Sequence, residues 1–362
     1  MSSPKKTTNA LHEKTGVSRP ETISHKAIQN IKKLKQQQLS TDELITGIRS
    51  QNISSLSRAI TLVESTNPMH LSKANEIIQG CLPHANKSIR IGITGVPGVG
   101  KSTFIEALGK YLTGLGKRVA VLAVDPSSTI SHGSILGDKT RMEQLANDKN
   151  AFIRPSASGE NLGGVAKKTR ETIILCEACG FEIILIETVG VGQSETAVHS
   201  MVDFFLLLQI AGTGDELQVI KRGIIEMADA IIINKADGDG VSKAKTTQKM
   251  FNKILQLFPS KKSGWTPITT TCSAINQDGI DTIWQNILDY LEMVKSNQYF
   301  LEKRKEQNQF WMMETINEQL KSHFYNQTDI AELLISIQDA VIHNEISPFA
   351  AAQNLLNNYF KK

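Results

Sequence analysis

The stretch Gly95-Val96-Pro97-Gly98-Val99-Gly100-Lys101-Ser102-Thr103 constrains this chain more than any other. It fits G-x-x-x-x-G-K-[ST], a loop whose backbone N–H groups curl around phosphates. Such a loop needs a strand before it and a helix after it, because the helix N-terminus adds donors and partial positive charge. Ile89–Thr94 reads as a short buried strand, and Phe104–Leu112 has helical spacing. In that frame Lys101 reaches the β- and γ-phosphates, the Ser102 hydroxyl faces magnesium and Thr103 sits near the α-phosphate.

A second motif follows in the order this chemistry requires. Asn234-Lys235-Ala236-Asp237 comes directly after the apolar run Ala230–Ile233. A carboxylate in such a loop accepts from both guanine N1–H and N2–H₂. Adenine offers no such pair of donors, so Asp237 favours GTP over ATP. Cys272-Ser273-Ala274-Ile275 follows another strand-like run, and Ser273, Ala274 and Ile275 are expected to close over the guanine from the other side.

Strand-like runs at Ile89–Thr94, Arg118–Val124, Ala151–Arg154, Glu182–Glu187, Asp203–Gln209, Ala230–Asn234 and Pro267–Thr271 alternate with helical patterns. That alternation predicts an α/β fold with a mainly parallel sheet covered by helices on both faces. Ligands bind at the carboxyl ends of strands in such sheets, and the motifs all fall there. Residues 1–24 read as a disordered tail, 25–86 as an N-terminal helical extension, 87–297 as the nucleotide domain and 298–362 as a C-terminal helical region. Ser40 or Thr41 is a candidate N-cap with Glu43 in the first turn. Two apolar faces stand out near the C-terminus, Trp284/Ile287/Leu288/Leu291 and Phe310/Met313/Ile316/Leu320. The C-terminal region either completes the core or forms a dimer interface.

The net charge of +4 is too mild to argue for nucleic acid, although basic residues cluster near the N-terminus. No stretch is long and apolar enough to enter a membrane, and no hydrophobic signal core opens the chain. A cytoplasmic location is the expectation. Four cysteines in 362 residues make no disulfide framework. Cys176 and Cys179 form a C-x-x-C at the end of a helical segment, which reads as helix packing or as a metal or redox pair. His132 and His199 fall near the nucleotide loops.

Three acids stand at strand ends or in nearby loops: Asp125 after Val124, Asp138 in Gly137–Met142, and Glu187 before a glycine loop. Magnesium is a hard ion that takes few protein carboxylates. Each acid is a candidate for direct or water-mediated magnesium contact, or for orienting the attacking water. The Gly190 N–H can approach the γ-phosphate, and a loop fixed by that contact becomes a switch. Gly212–Gly223 is a further glycine loop, either a second mobile element or a simple connection. Arg154, Arg170 and Arg222 are all candidates for an arginine that stabilises transition-state charge.

Together GVPGVGKST, VDPSS (Val124–Ser128), GDKTRM (Gly137–Met142), ETVGVGQSE (Glu187–Glu195), GDELQ (Gly214–Gln218) and NKAD resemble the MeaB/ArgK family of P-loop GTPases, over roughly residues 45 to 355. Glu187 stands where Ras-like GTPases have aspartate, as in this branch. The resemblance implies a magnesium-dependent, homodimeric GTPase that cycles between GTP and GDP. It implies a chaperone of adenosylcobalamin-dependent methylmalonyl-CoA mutase, gating cofactor loading and protecting the enzyme. It makes Gly212–Lys221 a third switch toward the mutase, with Gly212, Asp215, Glu216, Gln218 and Lys221 as its residues. It also makes the C-terminal helices a dimerisation arm. Gln209-Ile210-Ala211 departs from the family pattern, where a proline is usual, and so does Ser158–Asn161. Two other functions fit parts of the pattern. One is an ATPase or kinase linked to lysine, arginine and ornithine transport, an older label for the family. The other is a metal-insertion GTPase, which would need a Cys- or His-rich store.

Overall fold

Short, near-continuous apolar runs buried on both faces decide the architecture. In the computed structural model, which describes residues 39–124, 142–155, 162–188, 194–211 and 222–360, seven strands form one parallel sheet. They are β1 (Ile89–Gly95), β2 (Val119–Val124), β3 (Ala151–Arg154), β4 (Ile183–Thr188), β5 (Phe204–Ile210), β6 (Ala230–Asn234) and β7 (Ile268–Thr271). The sheet order is β3-β2-β4-β1-β5-β6-β7. β1 is central, with Ile91 opposite Leu185 on β4 and Ile93 opposite Leu206 on β5. Each predicted strand is present, displaced by at most about one residue, because buried Val/Ile runs leave the boundary loosely specified.

Alternate residues feed separate cores on the two faces. Ile91, Ile93, Val121 and Leu185 face α4 (Lys101–Gly114) and α10 (Ile280–Ser296), where Phe104, Leu108, Ile283 and Ile287 are fully or almost fully buried. Ala120, Leu122, Ile184 and Ile186 face α1 (Thr41–Arg49), α2 (Ile53–Glu64), α3 (Pro68–Cys81) and α6 (Leu162–Ala178). A third cluster packs Ile231 and Ile233 against α9 (Gly240–Leu255). The remaining short helices are α5 (Glu143–Ala146), α7 (Ser194–His199) and α8 (Arg222–Met227).

Ser40 is the N-cap of α1. It forms a capping box in which Ser40 Oγ accepts from Glu43 N (3.1 Å) and Glu43 Oε2 accepts from Ser40 N (2.8 Å). The stretch read as helical over 25–86 is broken at Ser50–Asn52. The break is set by Gln51 with φ 65° and by Asn52 capping α2. The expected disordered tail lies outside the described residues.

The C-terminal region is α11 (Tyr299–Tyr325), α12 (Thr328–Ile342) and α13 (Pro348–Phe360). Of the two apolar faces, Trp284/Ile287/Leu288/Leu291 on α10 packs into the core, whereas Phe310, Met313, Ile316 and Leu320 are exposed along α11. The first part of α11 is tied to the amino-terminal end of the sheet. Arg304 Nε and Nη2 donate to Asp203 Oδ1 (2.9 Å) and Oδ2 (2.7 Å), and Nη2 also donates to Ser88 O (2.7 Å). Fully buried Arg90 donates from Nε to Glu177 Oε1 (2.8 Å) and from Nη2 to Glu177 Oε2 (3.0 Å) on α6. No helix among the described residues is long and apolar enough to cross a membrane.

Candidate functional site

The phosphate loop leaves β1 at Gly95 and enters α4 at Lys101. Gly100 has φ +92°, and a Cβ there would lie 2.9 Å from Asn234 Nδ2, so both backbone conformation and space require glycine. Val99 is fully buried and anchors the loop to the core. Lys101 is buried, and its Nζ donates to Gly95 O at 2.8 Å and Val96 O at 3.4 Å. Burial lowers its pKa, while the Glu187 and Glu195 carboxylates favour its charged form. The ammonium is therefore held beside the loop by backbone carbonyls, a placement that leaves it able to turn toward a phosphate.

The second loop is built onto the first. Asn234 Nδ2 donates to Val99 O (2.9 Å) and Lys235 Nζ to Gly98 O (2.9 Å). Lys235 takes φ 57°, a left-handed turn that carries the chain from β6 toward Asp237. Asn234 Oδ1 accepts from Ala274 N (3.2 Å), and Asp237 Oδ2 accepts from Ser273 Oγ (2.6 Å). The residues Gly95–Thr103, Asn234–Asp237 and Ser273–Ala274 thus converge at the carboxyl ends of β1, β6 and β7. Ile275 stands at their edge and is exposed. Ser102 is part-buried and Thr103 exposed at the start of α4.

Of the predicted acids, Glu187 is described. It pairs in register with Ile93 on β1 and is part-buried. Asp125, Asp138 and Gly190 lie outside the described residues, as do Gly212, Asp215, Glu216, Gln218, Lys221 and His132. Two further residues, Thr188 and Glu195, lie within the ETVGVGQSE string, but the sequence pattern does not single them out as site residues. Glu195 on α7 is 4% exposed and faces Lys101 electrostatically. Thr188 Oγ1 donates to Thr94 Oγ1 (2.8 Å), joining the ends of β4 and β1.

His199 is not near the nucleotide loops. It ends α7 at the opposite pole of the sheet, with its ring edge-on to Phe205 at 5.5 Å. Arg154 is paired with Glu64, and Arg170 donates to Asn308 Oδ1 (2.7 Å). Burial and neighbouring Arg90 lower the Arg170 pKa to about 9. Both side chains are thus committed to helix packing. Cys176 and Cys179 are buried among apolar residues, and burial raises both thiol pKa values. Among the described residues no cluster of three or more His, Cys, Asp or Glu side chains could hold a metal ion.

Comparison with known proteins fits this geometry. Residues 56–329 match the family model of the methylmalonyl-CoA mutase-associated GTPase MeaB. The chain belongs to the MeaB family. GTPase ArgK of Escherichia coli is 42% identical over 86% of this chain and 95% of its own length. The mouse mitochondrial methylmalonic aciduria type A homolog is 43% identical over 89% of this chain and 80% of its own length. A crystal structure of an LAO/AO transport system kinase aligns with TM-score 0.71 at 35% identity, covering 89% of this chain and 98% of that one. Like its MeaB and ArgK relatives, the chain is a GTPase with the P-loop NTPase fold.

Proposed function

We propose that this MeaB-family GTPase binds guanine nucleotide through the two joined loops and uses its nucleotide state to act on an adenosylcobalamin-dependent mutase. In this reading it is a chaperone that gates cofactor loading of methylmalonyl-CoA mutase and protects the enzyme. The observation that carries the nucleotide half is the bonding of Asn234 and Lys235 to the phosphate-loop carbonyls of Val99 and Gly98, with Asp237 held by Ser273. This joins base recognition rigidly to phosphate recognition. The mutase half is supported by the description of the family and by the name of the mouse relative.

Lys101 would leave the Gly95 carbonyl for the β- and γ-phosphates. Asp237 would accept from guanine, and Ser273 and Ala274 would line the base beside Ile275. Hydroxyl and carboxylate oxygens suit magnesium. Ser102 at the start of α4 and Glu187 on the neighbouring strand end supply that donor type. We assign Ser102, Glu187, Asp125 and Asp138 to holding Mg²⁺ or its waters, which when bound offsets phosphate charge. Gly190 would contact the γ-phosphate, and the loop Gly212–Lys221 would report nucleotide state to the mutase. Catalysis then rests on positioning and electrostatics. We also assign residues 87–297 as the GTPase domain and the helices beyond as a homodimer arm, supported by the exposed Phe310, Met313, Ile316 and Leu320 on α11.

The test is turnover of GTP, with ATP as control, with and without a cobalamin-dependent mutase. GTP-selective turnover that rises with mutase supports the reading. Turnover indifferent to mutase removes the partner and leaves the GTPase. ATP preference would revive the transport-kinase alternative, which the Asp237 loop opposes.

A further inference from the structure

At the pole of the sheet opposite the phosphate loop, a half-open cavity of about 370 Å³ lies between the starts of β6 and β7 and the first turns of α11. Cavities of about 300–1,000 Å³ suit small organic ligands. Its apolar wall includes Ile225, Leu255, Phe258 and Trp265. Glu226 and Lys262 are exposed at its rim, and its inward charged and titratable groups divide into two sets. Lys261 and Asp229 are fully engaged. Lys261 Nζ donates to Met227 O (2.9 Å), Ala228 O (2.8 Å) and Asp229 Oδ1 (2.7 Å), and Asp229 Oδ2 accepts from Phe205 N (3.0 Å).

Lys303, His199 and Tyr299 form the second set. Lys303 Nζ donates to Asp203 O at 2.9 Å and has no ion-pair partner among the described residues. The nearby Asp203 carboxylate is already taken by Arg304 and by the Arg90 N–H. Burial lowers the Lys303 pKa, with Lys261 and Arg304 adding to the effect against Asp229 and Asp203. A part-buried ammonium with one carbonyl partner is costly unless a counter-charge arrives. The His199 ring, its pKa lowered to about 4 by burial and by Lys303, is neutral near pH 7. Neither that ring nor the Tyr299 phenol has a hydrogen bond to a described residue, so each brings a donor to the same wall as Lys303.

We propose that this cavity binds a small organic monoanion, a carboxylate carrying an apolar or aromatic body. The carboxylate takes the remaining donors of Lys303 together with Tyr299 and His199, and the body lies along Trp265 and Phe258. Inside the rim, Lys303 is the one cation without an ion pair among the described residues and matches one negative charge, whereas a phosphate dianion would leave charge uncompensated and would meet the Glu226 carboxylate at the mouth. Because Tyr299 and Lys303 belong to α11, the occupant would join the base of the C-terminal arm to the sheet.

The experiment titrates the full chain, loaded with GDP, with benzoate and with neutral benzamide by calorimetry. Benzoate is expected to bind and benzamide to bind at least about tenfold more weakly. Lys303→Met is expected to weaken benzoate at least about tenfold without changing GDP affinity. Should that variant fail to fold, Lys303→Gln keeps a donor to Asp203 O while removing the charge. No benzoate binding up to about 10 mM, the range expected of a fragment this small, overturns the proposal. So does equal binding of benzamide, unchanged affinity in a folded Lys303 variant, or displacement of benzoate by inorganic phosphate. GDP affinity measured on the same samples separates this outcome from any failure of the nucleotide reading.

Discussion

The two ends of the sheet handle charge in opposite ways. At the carboxyl end, Lys101 and Lys235 donate to loop carbonyls, and the Glu187 and Glu195 carboxylates favour the charged form of Lys101. At the amino end, Arg90 and Arg304 each grip a carboxylate with two donors, and the pairs share Ser88 and the Arg90 N–H. The first arrangement can be given up to a ligand at small cost. The second has no better partner to turn to, and it fastens α6 and α11 to β1 and β5. Charge offered to a ligand at one pole is set against charge locked in buried pairs at the other.

The comparison breaks most visibly at Lys101. Lys101→Ala is expected to lower GTP turnover by about 10³-fold or more, since a charged donor aimed at the phosphates is lost, while the melting temperature barely moves. A large loss of stability would mean that Lys101 is structural, like Arg304. The converse substitution, Arg304→Met, strands Asp203 as a buried unpaired carboxylate. It should cost about 3–5 kcal/mol in urea unfolding, with GTP turnover per folded molecule unchanged. Acid should do the same to the intact protein. Although burial opposes it, arginine pairing holds the Asp203 and Glu177 carboxyls below their usual pKa. Their contribution is full above the unfolded carboxyl values of about 4 and is lost as pH falls through the lower folded values. Unfolding measured from about pH 7 to pH 3 should show a decline in the wild type and a shallower one in Arg304→Met.

The same contrast explains what could be read from the sequence. Strands and loops at the carboxyl end are local patterns: Ile89–Thr94 before glycines, Ala230–Ile233 before Asn234. A phosphate loop must be contiguous to work, so its chemistry is written in adjacent residues. The amino-end network joins Arg90, Glu177, Asp203 and Arg304, whose separations carry no period, and it had no signature to find. His199 was misplaced for a related reason. Its position follows a nucleotide loop in sequence, but α7 carries it across the sheet to the far pole. The apolar stripe on α11 was legible as a helix face, yet periodicity does not say what covers it. Asp125, Asp138 and Gly190 were named from loop patterns and family likeness rather than from placement.

A finer test lies within the carboxyl end, between phosphate and base recognition. Asp237→Asn replaces an acceptor with an amide that presents a donor to guanine N1–H. GTP affinity should fall by about a hundredfold, and xanthosine triphosphate should bind better than it does to the wild type, in nucleotide titrations. Lys101 and the phosphate loop stay intact, so residual nucleotide should still depend on phosphate number. Unchanged GTP affinity would remove Asp237 from the base site and leave its bond to Ser273 as a turn contact only.

The smallest expected effect separates stability from function at a place belonging to neither pole. Ser40→Ala deletes the Oγ acceptor of the α1 capping box and leaves Glu43 N without its partner. It should cost about 1 kcal/mol, read as a lower urea midpoint with an unchanged slope. α1 packs through Leu44 and Ile48 on the face of the sheet that α4 does not cover, so GTP turnover should be unaffected. A fall in turnover at Ser40 would show that the helical extension bears on the nucleotide loops. The sharp division between a yielding pole and a fixed one would then need a third region that couples them.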